Sequence, residues 1–73
     1  MNNEFKYLKE ALATDLVEFL MRDYNLDLQS ALGTLYDSDT YSKINDPLTG
    51  LYFQSSRYVY SFLENELHTG IIG

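Results

Sequence analysis

Cysteine and tryptophan are absent from this 73-residue chain, histidine and proline occur once each, and five basic residues face eleven acidic ones. The lack of cysteine excludes a disulfide and any thiolate metal site, so no covalent staple can strengthen a core close to the lower size limit. With His68 alone, no second histidine or thiol completes a zinc site, and a serine nucleophile has one conceivable base. The net charge of −6 repels nucleic acid and anionic membrane surfaces and favours basic or neutral partners. Long apolar runs are missing too, since nothing approaches the roughly 20 residues of a membrane span. The start, Met1-Asn2-Asn3-Glu4-Phe5-Lys6, lacks the basic and apolar segments of a signal peptide, so a cytoplasmic, bacterial-type location is expected.

What the chain does contain is aromatic: seven tyrosines and four phenylalanines, six of the eleven crowded into residues 51–63 and the approach from Tyr41. Tyrosine joins a large apolar body to a polar tip, which suits half-buried seams and binding faces more than chemistry. At 45% hydrophobic residues the chain is a folding sequence, and its length allows one domain spanning residues 1–73.

Apolar spacing predicts helices throughout. Phe5, Leu8, Leu12, Leu16 and Phe19, widened by Ala13, Val17 and Leu20, mark a first helix from about residue 3 to Tyr24, with Asn2 or Asn3 as its cap. Lys6, Glu10, Glu18 and Arg22 fall on the far side, with Glu18 and Arg22 as an i,i+4 pair. Asp27 caps a second helix carrying Leu28, Ala31, Leu32, Leu35 and Tyr36, in which Gly33 implies close approach of a neighbouring helix. Ser38 or Asp39 caps a short third helix that stops before Asp46-Pro47, and Gly50 serves a turn at positive φ. The last helix begins between Leu51 and Ser55 and runs to about His68, with Val59, Phe62, Leu63 and Leu67 inward and a glycine cap at Thr69-Gly70-Ile71. The expected fold is all-α, a small bundle of three to four helices with the long first helix packed antiparallel to the last. Antiparallel packing would set Lys6 and Lys9 near Glu64 and Glu66, and Arg57 near Asp15 or Glu18, offsetting a charge order on the last helix that opposes its dipole.

Two stretches carry a resemblance. Gln29-Ser30-Ala31-Leu32 with residues 35–41, and residues 49–55 with Tyr58-Val59-Tyr60 and residues 63–67, resemble a family of small, uncharacterised bacterial all-helical proteins. Such proteins tend to be encoded beside larger ones, some with an ADP-ribosyltransferase-like fold, in arrangements like toxin–antitoxin pairs. The resemblance implies an all-α fold and a protein partner, and transfers no catalytic residue.

The remaining constellations read as structure. The alternating carboxylates at Asp23, Asn25 and Asp27, and at Asp37 and Asp39, fail as calcium loops, because the sixth and twelfth positions hold Leu28 and Thr34, or Ser42 and Leu48. A helix-turn-helix reading of residues 28–45 offers Lys43 as its one cation on the would-be reading helix, too little for phosphate contacts. His68 near the end of the last helix complements the dipole. No catalytic, cofactor-binding or metal residues are expected, and no membrane, small-molecule or direct nucleic-acid partner. Binding to a protein partner is expected through Tyr52, Tyr58, Tyr60, Glu64 and Glu66, on an aromatic and acidic face of the last helix. The alternatives are a self-associating structural homodimer built on the same seam and an acidic nucleic-acid mimic that occupies a basic protein.

Overall fold

In the computed structural model, which describes residues 3–69, each helix starts or stops at a residue suited to the task. Helix α1 (Asn3–Tyr24) gives way to Asn25, which adopts φ 54°. Asparagine tolerates this left-handed conformation better than most residues, and helices commonly close on it. The Asp27 carboxylate accepts the Ser30 N–H at 2.8 Å and opens α2 (Leu28–Tyr36). Ser38 caps α3 (Asp39–Ile44) by accepting the Tyr41 N–H at 3.0 Å. Pro47 begins a 3-10 turn over Pro47–Thr49, where its missing N–H is not needed. Gly50, at φ 72°, then redirects the chain into a second such turn, Leu51–Phe53. Ser55 accepts the Tyr58 N–H at 3.2 Å and starts α4 (Ser56–Thr69). That start falls just past the expected window because Leu51–Phe53 closes a turn of its own. The caps expected at Asn2 and Gly70 lie outside the described residues. All regular structure among the described residues is helical.

The core draws on every α-helix: Leu12, Leu16, Val17 and Leu20 of α1, Ala31 and Leu35 of α2, Ile44 of α3, and Val59, Tyr60 and Leu63 of α4. Burial of these side chains is the main favourable term holding the fold, at roughly 1.5–3 kcal/mol for each large one. On α4 two residues expected inward differ. Phe62 is only half-buried and Leu67 is 39% exposed. Tyr60 takes the inward place, because it lies one residue from Val59 and three from Leu63 on the face turned toward α1.

The first helix contacts the last, as expected, but the two run in the same direction. Asp15 meets Ser56, Phe19 meets Tyr60, and Tyr24 meets His68, so sequence numbers rise together along the seam. The reason is the path between them. Helix α2 folds back along α1, and the chain then returns to the start of α1, where Tyr52 packs edge-on to Phe5 at 4.8 Å. Helix α4 must therefore leave from that end. The anticipated ion pairs dissolve with the antiparallel order. Lys9 lies over the Phe5 ring at 5.1 Å and Arg57 over the Phe19 ring at 4.4 Å. Within α1, independently of that order, Arg22 pairs with Asp23 at 3.0 Å rather than with Glu18.

Gly33 does not mark a close helix approach. A Cβ built there meets nothing within 4 Å, on an exposed helical position. Its presence lowers helix propensity without a packing return. Gly33→Ala is expected to stabilise the domain by about 0.5–1 kcal/mol, chiefly by restricting the unfolded chain. Thermal melting would register this as a rise of several degrees, on the order of 4–8 °C per kcal/mol for a domain of this size. A fall in the melting temperature would mean that Gly33 has a contact or conformation this structure lacks.

Candidate functional site

The five residues expected to form the binding face of α4 do not form one surface. Tyr60 is 2% exposed and its hydroxyl donates to Asp23 Oδ2 at 3.0 Å. Burial, followed by that hydrogen bond and the Asp23 charge, holds its pKa well above the usual tyrosine value. Glu66 points toward α3. Its Oε2 accepts the Asp39 N–H at 2.7 Å, and its Oε1 accepts the Thr40 N–H at 3.0 Å and the Thr40 hydroxyl at 2.8 Å. Both are corrections to the expected site, since core packing claims the one and helix capping the other. Glu66 also accounts for an acidic residue near the end of α4: the carboxylate serves the positive end of a different helix.

Tyr52 is half-buried between Phe5 and Phe53, and Glu64 is half-buried as well. Tyr58 alone stands open, 50% exposed and edge-on to Phe62 at 5.0 Å. The last helix therefore presents a single aromatic pair where a continuous seam was expected.

The larger feature lies on the other side of α1. A half-open trough of about 640 Å³ runs between α1 and α2. Ala13, Val17 and Met21 line it from α1, Leu28, Leu32 and Tyr36 from α2, and Tyr41 closes one end from α3. Tyr36 and Tyr41 rest against each other with ring centroids 5.0 Å apart. Leu28 and Tyr36 form the lip and are 53% and 54% exposed. Helical spacing puts Tyr7, 71% exposed, one turn before Glu10 and two before Thr14, so it extends the same wall.

The polar members of the lining are Lys9, Glu10, Thr14 and Glu18. The Thr14 hydroxyl is already donated to the Glu10 carbonyl at 3.0 Å. Among the described residues no buried side-chain nitrogen or oxygen lacks a hydrogen-bond partner, and no group of three or more His, Cys, Asp or Glu side chains is placed to hold a metal ion. Nor is any described helix long and apolar enough to cross a membrane. The trough offers apolar contact and a charged rim. It does not offer a converging set of fixed donors and acceptors of the kind that orients a small molecule.

Sequence reasoning passed over this face, although α2 carried a signal. A surface helix needs one apolar stripe, and α2 has two: Ala31 and Leu35 inward, and Leu28, Leu32 and Tyr36 at i, i+4, i+8 beside them. The helix also contains no charged residue.

No protein-family model, curated protein or solved structure matches this chain.

Proposed function

We propose that the chain is a non-enzymatic protein-interaction domain, an accessory or antitoxin-like subunit that holds a partner polypeptide in the groove between α1 and α2. The observation that carries this reading is the outward row Leu28, Leu32 and Tyr36, which leaves two large apolar side chains half open at the lip of a preformed trough. Exposed apolar surface rimmed by polar groups is how soluble domains present a docking site. The antitoxin-like role draws on the family resemblance alone.

Neither alternative gains from the geometry. An acidic mimic of nucleic acid needs carboxylates arrayed outward, yet Asp23, Asp27, Asp46 and Glu66 are engaged in hydrogen bonds within the domain. A symmetric dimer through the groove would bring its acidic rim, with Glu10 and Glu18, against an identical copy. Like charges placed face to face oppose that pairing.

A photo-crosslinking amino acid such as benzoylphenylalanine, placed at position 36 or at position 58, tests the reading in the native host. Adducts with another polypeptide are expected from position 36 and not from position 58. Adducts from 58 alone would move the surface to α4, and their absence from both positions would overturn the interaction reading.

A further inference from the structure

We infer that the occupant of the α1–α2 groove is an amphipathic helix of about three turns whose apolar stripe is flanked by lysine or arginine. The inference rests on the groove being a docking site and goes on to name the class of partner.

Length and shape argue for a helix. The α1 wall runs from Lys9 to Met21, and at about 1.5 Å per residue it spans about 18 Å, the length of a helix of about 12 residues. The floor is the valley between two packed helices, into which the side-chain ridges of a third helix fit. A strand would have no edge to join, because among the described residues regular backbone pairing is helical throughout. Leu28, Leu32 and Tyr36 then meet anchors at i, i+3 or i+4, and i+7 on the incoming helix.

Charge argues for cationic flanks. Glu10 and Glu18 stand on the α1 rim and outnumber the one lysine of the lining. Helix α2 itself brings no cation, and the lysine of the lining, Lys9, holds its ammonium over the Phe5 ring. Basic residues beside the apolar stripe would face Glu10 and Glu18 along the α1 edge of the groove. The net charge of −6 adds longer-range attraction for such a segment.

The test uses the full chain, isotope-labelled for NMR, with three synthetic peptides of about 14 residues, enough for three turns and frayed ends. One has a leucine stripe at helical spacing with lysine flanks, the second has the same stripe with glutamate flanks, and the third scrambles the lysine peptide so that no stripe forms. The lysine peptide is expected to shift the amides of Leu28, Leu32, Tyr36 and Tyr41. It should bind at least about tenfold more tightly than the glutamate peptide and lose affinity as salt is added. A Leu28→Glu plus Tyr36→Glu variant, shown by circular dichroism to keep its helices, should lose the binding. Both positions are exposed, so folding is not at risk.

Equal binding of the lysine and glutamate peptides in the groove would overturn the cationic class while leaving the docking reading in place. Equal binding of the scrambled peptide would overturn the helical class. So would failure of every peptide when crosslinking from position 36 succeeds. Shifts confined to α4 around Tyr58 would overturn the groove as a docking site altogether. Groove shifts that grow with protein concentration and no peptide would make a second copy the occupant, overturning the inference in favour of self-association.

Discussion

Tyr60→Ala is expected to lower stability by about 3–5 kcal/mol, the usual cost of deleting a fully buried aromatic ring. The ring is sealed between α1 and α4 and packs against Phe19 with centroids 4.9 Å apart. A domain this short rarely holds more than about 3–5 kcal/mol in total, so the variant should be largely unfolded at room temperature. Circular dichroism and urea titration would check this. A cooperative unfolding transition close to that of the parent would contradict the buried placement.

Tyr60→Phe separates the ring from the hydroxyl. It keeps the packing and removes only the donor to Asp23, whose carboxylate is reachable by water, so it should cost a small part of the alanine loss. Its effect should be clearest in alkali. The folded-state pKa of Tyr60 is raised, so the protonated hydroxyl contributes stability that is whole below the unfolded value of about 10. That contribution falls as pH rises through and beyond that value, because the unfolded chain gives up the proton more readily. The phenylalanine variant lacks this loss, and its alkaline unfolding midpoint should lie at higher pH than the parent's.

Glu66→Ala is the second large effect, with an expected cost of about 2–3 kcal/mol. Removing the carboxylate leaves the Thr40 N–H and hydroxyl without their acceptor on a residue that is 0% exposed. Glu66→Gln should recover part of this loss, because one oxygen can still accept from Thr40 while the new amide opposes the Asp39 N–H.

The same carboxylate gives an acid dependence of defined sign. Burial opposes its ionisation, but the Asp39 and Thr40 donors outweigh burial and lower its pKa below the ordinary 4.5. A lowered folded-state value means that Glu66 contributes fully above 4.5 and less as pH falls through the folded value. Urea midpoints at about pH 6 and about pH 3 should differ more for the parent than for Glu66→Gln. A difference of the same size in both would show that Glu66 does not hold α3.

The loss of Glu66 reaches the groove as well. Helix α3 has six residues, too few to be stable alone, and it carries Tyr41 to the end of the trough. Loosening its start should therefore disturb the Tyr36–Tyr41 contact before it disturbs α1.

Local signals placed the helices because they act over a few residues. The carboxylate of Asp27, the hydroxyls of Ser38 and Ser55, the proline at 47 and the glycine at 50 each meet backbone groups close to them in sequence. The apolar period of α1 likewise named its buried side before any partner was known. All-helical class, helix limits and most of the core were legible for that reason.

Direction and surface were not. Whether α4 runs with or against α1 depends on where the two 3-10 turns release the chain, and Phe5 and Tyr52 decide that across a sequence separation of 47. Tyr58 and Tyr60 are chemically equal in the sequence, yet one faces water and the other Phe19, because rotation of α4 about its axis is set by packing. Glu66 could have joined any cation or none until α3 came to lie beside the end of α4. Helix α2 carried two apolar rows from the start, but only its rotation about its own axis, set by packing, determined which row closed over the core and which was left to line the groove.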